Sequence, residues 1–223
     1  MKFEAIRKRI LLARESNVEH LVPYDSFLEK TGAAEALVDF MEQQDADPEI
    51  IQEARWYFVI MCVSAMETYF KGTAEIFIQG GWTKDTFLEI LRQDKISLAD
   101  LLKMNKEKFT LGEIISVFHG FQSLDSINIF YSRMLGCDDF VKEVSEFKAP
   151  LREGKYLILV NDSPEFRKDI NSLVHFRHLV IHHDTFKRTL GAKNLHKMTE
   201  SLMDFVYAAD FYLMNASGGY TEV

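Results

Sequence analysis

The amino-acid sequence predicts an all-α protein, built as an antiparallel helical bundle with extra helices at its N- and C-terminal ends. Only 11 Gly and 4 Pro occur in 223 residues, which leaves little material for the tight turns of a sandwich or a barrel. Apolar residues make up 47% of the chain and include 18 Phe, enough to fill a helical core. Between Trp56 and Phe77, apolar side chains recur every three or four residues, which is the spacing of one helix face.

The N-terminal part of the chain predicts three successive helices, over residues 3–20, 26–44 and 48–79. Gly32 weakens the prediction for the first turns of the second helix. The third helix is the most strongly predicted, because its apolar face is continuous and Pro48 suits a first helical turn.

The middle of the chain predicts short helices over residues 83–93, 97–103 and 138–148, and a longer one over residues 110–135. Residues 155–160 are β-branched and aromatic, a composition that favours a strand. An isolated strand in a helical chain has no partner, so this strand is weakly predicted.

The C-terminal third predicts two further helices. Ser163 and Pro164 are typical of a helix start, with Ser as the N-cap and Pro at the first helical position. The helix that follows is expected to run to about His183, and a last helix is expected over residues 194–214. No repeat or long linker divides the chain, so we expect one domain over residues 1–223.

Charge is unevenly distributed along the chain. The formal net charge of −8 excludes a protein that is basic throughout and coats nucleic acid. Residues 164–200 nevertheless carry seven basic against four acidic residues, which leaves 19 basic and 30 acidic residues elsewhere. We therefore expect any site for an anionic ligand in this segment.

Cysteine usage and the apolar runs point to the cytoplasm. Cys62 and Cys137 give neither a disulfide framework nor a metal-binding pattern. The N-terminus lacks the apolar stretch of a signal peptide, and no apolar run approaches the roughly 20 residues of a membrane span. A cytoplasmic protein without membrane contact is expected.

Five of the seven histidines lie between His175 and His196, and two chemical interpretations of this cluster need no nucleic acid. His175, His178 and His182 share one helix face, a spacing that suits Zn²⁺, although the HExxH pattern is missing. Alternatively, the histidines cap the last carbonyls of the helix and complement its dipole.

A third interpretation is metal-free cleavage of RNA. Arg177 and His182 are five residues apart, roughly 140° around a helix axis at about 100° per residue. Two copies facing each other across a two-fold axis would bring two such pairs around one phosphate. Arginine binds phosphate oxygens, and histidine can exchange protons with the 2′-hydroxyl and the leaving 5′-oxygen.

The stretch Arg177–His182 (RHLVIH) matches the R-polar-x3-H motif of the HEPN superfamily, and Glu67 lies in a long preceding helix, as in that superfamily. The chain resembles the compact helical HEPN proteins of bacterial defence and toxin–antitoxin loci. The resemblance covers about residues 50–215, which would be the HEPN-like core, with residues 1–47 as an N-terminal helical extension.

By this resemblance Arg177 would bind phosphate, His182 would be the acid and base, and His178 would be the polar residue after the arginine. Many members have Asn or Asp where this chain has His178. The resemblance implies an endoribonuclease that leaves a 2′,3′-cyclic phosphate at a site shared by a homodimer, with no cofactor. Some members have lost catalysis and bind RNA or a partner, so a non-catalytic interaction protein is the alternative.

Other residues are candidates for supporting roles. Glu67 is expected either to form a salt bridge that orients Arg177 or to cover the rim of a helix interface. His183 belongs to the polar turn after the motif. Four basic residues are expected either to guide the RNA backbone or to form a solvated positive face: Lys187, Arg188, Lys193 and Lys197. The expected partners are RNA, a second copy of the chain, and an antitoxin or another protein of a defence system.

Overall fold

The computed structural model is mostly helical in the part of the chain that it describes. The described residues are 23–81, 104, 106–107, 109, 114, 119–151, 155–182 and 189–217. The helices that the sequence predicts over residues 3–20, 83–93 and 97–103 lie outside this part.

Seven helices and one pair of very short strands are present among the described residues. The helices are α1 (Pro23–Gln43), α2 (Pro48–Gln79), α3 (Leu124–Leu135), α4 (Phe140–Glu146), α5 (Leu159–Asp162), α6 (Phe166–His182) and α7 (Ala192–Ala216). Strands β1 (Ala149–Pro150) and β2 (Tyr156–Leu157) pair antiparallel. The predicted all-α class is confirmed.

Helices α1 and α2 form a hairpin that packs along its length. The bounds of α2 agree with those predicted from the sequence. The Asp47 carboxylate caps its start by accepting the Glu49 amide N–H at 2.8 Å, and Pro48 follows as the first helical residue. Gly32 lies inside α1 without interrupting it.

Helix α2 is the centre of the core, because α1, α6 and α7 all pack against it. Its predicted apolar face is buried along its whole length: Trp56, Val59, Val63, Met66, Phe70, Ala74 and Phe77. The Phe70 ring contacts the rings of Tyr131 and Phe205, with centroids 5.4 and 5.8 Å apart, so α3 and α7 close over the middle of α2. None of the helices in the described ranges combines the length and apolar character needed to cross a membrane.

The prediction of one continuous helix over residues 110–135 is wrong. Residues 120–123 are not helical, and a new helix, α3, begins at Leu124. Ser123 and Ser126 form a capping box at this start, in which each hydroxyl accepts the other residue's backbone N–H. Phe121 is fully buried within the interruption and packs edge-on against Phe130, so the chain turns inward at this point.

The predicted strand over residues 155–160 is correct only for Tyr156 and Leu157. These two residues pair with Ala149 and Pro150, a partner that the sequence did not suggest. The Tyr207 hydroxyl of α7 donates a hydrogen bond to the Pro150 carbonyl, which holds β1 against the core.

The predicted start of α6 at Ser163 and Pro164 is also wrong, because the helix begins at Phe166. The Ser163 hydroxyl donates to the Asp204 carboxylate of α7 at 3.3 Å instead of capping α6. A tertiary partner has therefore replaced the local cap that the sequence pattern favours.

Candidate active site

Helix α6 carries the motif residues, and its burial decreases toward its C-terminal end. Phe166, Ile170 and Leu173 are buried in its first half. From residue 174 onward no residue of the helix is buried, and His178 and His182 are exposed. The end of α6 that carries the motif is therefore open to solvent, while the beginning of the helix is fixed in the core.

The rotation of α6 about its axis is set by its contact with α2. Phe176 packs against Trp56, with ring centroids 6.3 Å apart. Because Arg177 is the next residue on the helix, this contact directs its side chain to a neighbouring part of the surface, where the loop before α3 passes.

The Arg177 guanidinium is held at one terminal nitrogen. Its Nη1 donates a hydrogen bond to the side-chain oxygen Oε1 of Gln122, at 3.3 Å and exposed to solvent. Its Nε is shielded from solvent and has no hydrogen-bond partner among the described residues. The terminal nitrogens are therefore the part of the guanidinium through which a ligand can reach it.

Glu67 and Arg177 form no direct ion pair in the described structure; Gln122 connects them. The Gln122 amide nitrogen Nε2 donates to Glu67 Oε2 at 3.1 Å. The other carboxylate oxygen, Oε1, forms an ion pair with Lys71 at 2.7 Å, one turn further along α2. A chain of four side chains thus runs from Lys71 through Glu67 and Gln122 to Arg177, with two positive charges and one negative.

Sequence reasoning missed Gln122, because it placed this residue inside a continuous helix. The signals that could have found the loop are Gly120 and the pair of serines at positions 123 and 126. The buried Phe121 and the N-cap residue Ser123 fix the backbone on either side of Gln122. The side chain of Gln122 itself lies at the surface. The break in the helix therefore places an amide between α2 and α6.

His178 and His182 lie next to each other on the exposed end of α6. Their ring centroids are 4.6 Å apart, and the ring planes are inclined at 48°. His175 is exposed one turn before His178. Among the described residues, no three His, Cys, Asp or Glu side chains are arranged to hold a metal ion, so the three histidines do not form such a group.

The remaining candidates are not near the motif or lie outside the described residues. His183, Lys187 and Arg188 fall in the segment 183–188, which the structure does not describe. Lys197 forms ion pairs with Glu165 and, at 3.5 Å, with Asp169, at the opposite end of α6 from the motif. These contacts raise the pKa of Lys197 and lower that of Glu165.

A polar cavity of about 480 Å³ lies at that opposite end, between the start of α6 and α7. Five of its lining residues are acidic: Asp162, Glu165, Asp169, Glu200 and Asp204. Burial raises the pKa of Asp204, with the neighbouring acids adding to the effect and the hydrogen bond from Ser163 opposing it. The negative charge of this cavity makes it unsuitable for phosphate, so it is separate from the motif in chemistry as well as in position.

Comparison with known proteins gives one match. The model of the RiboL-PSP-HEPN family matches residues 27–215, from the second turn of α1 to the last turn of α7. No curated protein and no solved structure matches the chain. The match spans the motif on α6, the long helix α2 with Glu67, and the loop that carries Gln122. The chain belongs to the RiboL-PSP-HEPN family.

Proposed function

We propose that this protein is a metal-independent endoribonuclease of the HEPN type, with a site shared between two copies of the chain. The observation that carries the proposal is the solvent-open end of α6, where exposed His182 and the tethered guanidinium of Arg177 lie on different faces of one helix. A role in core packing would bury these groups, and neither the Arg177 terminal nitrogens nor the His182 ring is buried.

The proposed reaction is transfer of the RNA phosphodiester to its own 2′-oxygen. A neutral His182 imidazole accepts the proton of the 2′-hydroxyl, and the 2′-oxygen forms a bond to phosphorus. The bond from phosphorus to the 5′-oxygen breaks, and a protonated imidazole gives its proton to that oxygen. The products are a 2′,3′-cyclic phosphate and a free 5′-hydroxyl. Arg177 neutralises the charge that grows on the non-bridging oxygens.

A second copy of the chain supplies the second imidazole. The angle of roughly 140° between Arg177 and His182 around α6 keeps one copy from enclosing a phosphate on both sides. A two-fold arrangement of the α6 ends would place two arginines and two histidines around one phosphate, one histidine accepting and the other donating a proton.

The biological role that fits this activity is that of a toxin or a phage-defence effector in the cytoplasm, acting on cellular or phage RNA. An antitoxin or another protein of a defence system would then be its partner. Growth arrest on expression, lost in the Arg177→Ala variant, tests this role, and mapping of the RNA ends in arrested cells identifies the substrate.

The decisive experiment compares four variants in EDTA. Arg177→Ala and His182→Ala are expected to abolish RNA cleavage, while the helical circular-dichroism signal and the dimer are retained. Arg167→Ala and His196→Ala are matched controls, since both side chains are exposed and lie away from the motif. They are expected to cleave like the wild type.

Other outcomes separate the alternatives. Cleavage that persists in both motif variants contradicts the proposal. RNA binding without cleavage by the wild-type protein favours a non-catalytic module. Activity that is lost in EDTA and restored by Zn²⁺ contradicts the metal-independent mechanism.

A further inference from the structure

The amide of Gln122 is the one contact between the motif arginine and the acid of α2 in the described structure, and it belongs to neither the motif nor either helix. We propose that Gln122 is a positioning residue for Arg177, which fixes the guanidinium at the site and brings the negative charge of Glu67 to bear on it. This inference rests on the proposed function in one respect, that Arg177 is the group that meets the RNA phosphate.

Hydrogen-bond polarity makes an amide the suitable link. The guanidinium of Arg177 can only donate, and the ionised carboxylate of Glu67 can only accept. The Gln122 amide has an oxygen that accepts from Arg177 and a nitrogen that donates to Glu67, at 3.3 and 3.1 Å. The contacts on both sides therefore determine which way the amide points.

Glu67 and Gln122 are themselves held in place by neighbouring residues. Glu67 uses one oxygen for Gln122 and the other for Lys71, so its carboxylate is fixed in two directions. The side chain of Glu67 is only 16% exposed, which strengthens its interactions relative to those of a fully solvated pair. Gln122 follows the fully buried Phe121 and precedes Ser123, the N-cap of α3, so its backbone is already ordered before any ligand binds.

The contact leaves most of the guanidinium free for a ligand. Gln122 takes one N–H of Nη1, and the Nε is shielded, so the remaining terminal N–H groups stay available on the solvent side. This contact restricts the rotamers of the side chain in advance, so the binding of a phosphate costs less entropy.

The test exchanges the amide and the carboxylate between positions 122 and 67. In Gln122→Glu two carboxylates face each other without a proton donor between them. In the double variant Gln122→Glu/Glu67→Gln the amide at position 67 donates to the carboxylate at position 122, which accepts from Arg177, and all donors are satisfied again. The matched control is Gln79→Ala, which removes an exposed bond of similar length, 2.9 Å, between Gln79 and Glu75 on the same helix α2.

Two measurements are made on each variant. The first is kcat/KM for cleavage of a short RNA. The second is the Arg177 Nε–Hε signal in ¹⁵N NMR spectra, assigned with Arg177→Lys; the Nε is shielded from solvent.

We expect Gln122→Ala and Gln122→Glu to lower kcat/KM by about tenfold or more, the scale of one charge-assisted hydrogen bond. Both should shift or broaden the Arg177 signal. The double variant should recover most of the rate and the wild-type line width, whereas Gln79→Ala should change neither.

Failure of this inference differs from failure of the proposed function. A Gln122→Ala variant that cleaves RNA as fast as the wild type, with an unchanged Arg177 signal, overturns the positioning role while the ribonuclease stands. A double variant no better than Gln122→Glu overturns it as well. If the wild type cleaves no RNA, the NMR signal still decides whether Gln122 holds Arg177.

Discussion

The imidazole rings of His178 and His182 contact each other across one turn of α6, with centroids 4.6 Å apart. Both rings are exposed, and this contact restricts the freedom of His182 on the open end of the helix. The position after the motif arginine, where many HEPN proteins have Asn or Asp, is thus occupied here by a ring that packs on the candidate acid and base.

The first prediction is that His178 supports His182 by packing and does not itself transfer a proton. His178→Phe keeps a planar ring beside His182 and should retain cleavage to within about tenfold of the wild type. The loss of a proton-transferring group costs on the order of 100-fold or more. His178→Ala removes the ring contact and should be slower than His178→Phe, as measured by single-turnover cleavage.

A loss in His178→Phe as large as that in His182→Ala would contradict this prediction, and would assign the second proton transfer to His178 of the same copy. Circular dichroism on both variants is the control, since α6 is fixed in the core by residues in its first half and should remain folded.

The second prediction concerns Asp210, whose carboxylate accepts a hydrogen bond from the buried Tyr69 hydroxyl at 3.0 Å. Burial raises the pKa of Asp210, although the Tyr69 hydrogen bond opposes this effect. As pH rises above the ordinary value for Asp, the unfolded chain loses this proton first, so the folded state becomes less stable until its own carboxyl has ionised.

Asp210→Asn keeps the hydrogen bond and removes the titration. The free energy of unfolding of this variant, relative to the wild type, should therefore be larger at pH 7 than at pH 3. Urea unfolding at both pH values measures it. Asp39→Asn, at an exposed position on α1, is the control. An equal difference at both pH values would show that the Asp210 carboxyl ionises alike in the folded and unfolded chain.

The third prediction compares the effects on stability of replacing two glycines with alanine. Gly136 ends α3 with φ 71°, the left-handed conformation, and its amide donates to the Ser132 carbonyl. Gly136→Ala should cost about 1 kcal/mol or more, because the added Cβ strains this conformation. Gly32 lies inside α1 with open space around its Cα, so Gly32→Ala should stabilise the protein by roughly 0.5–1 kcal/mol. Urea midpoints that shift in the same direction in both variants would contradict this prediction.

The sequence predicted the parts of the fold in which local and tertiary preferences agree. The apolar repeat of α2, its start at Pro48 and its buried face all come from residues whose local helix preference agrees with their place in the fold. Two of the errors occur where a tertiary partner prevails over a local pattern. Ser163 bonds to Asp204 instead of capping α6, and the pairing of β1 with β2 depends on contacts far along the chain.

The same distinction between local and tertiary contacts applies to the candidate site. The motif residues Arg177 and His182 could be found from the sequence, because a spacing along one helix is a local property. Their connection to Glu67 could not be found, because it passes through Gln122, whose place is fixed by the fold of a loop 55 residues away in the chain. The sequence leaves a direct salt bridge and a place at the rim of a helix interface as alternatives for Glu67, and the amide in between is visible only in three dimensions.

The fourth prediction tests whether the start of α3 supports the site. The Ser123 hydroxyl accepts the Ser126 amide N–H at 3.2 Å, and Gln122 is the residue immediately before it. Ser123→Ala should cost about 1 kcal/mol of stability, as for other helix caps, and should also lower RNA cleavage, because the backbone that carries Gln122 is no longer held. Ser123→Asp restores an acceptor at the cap and should recover both stability and cleavage. A Ser123→Ala protein that is less stable but cleaves at the wild-type rate would show that Gln122 is held by Phe121 and its own side-chain contacts, without help from the cap.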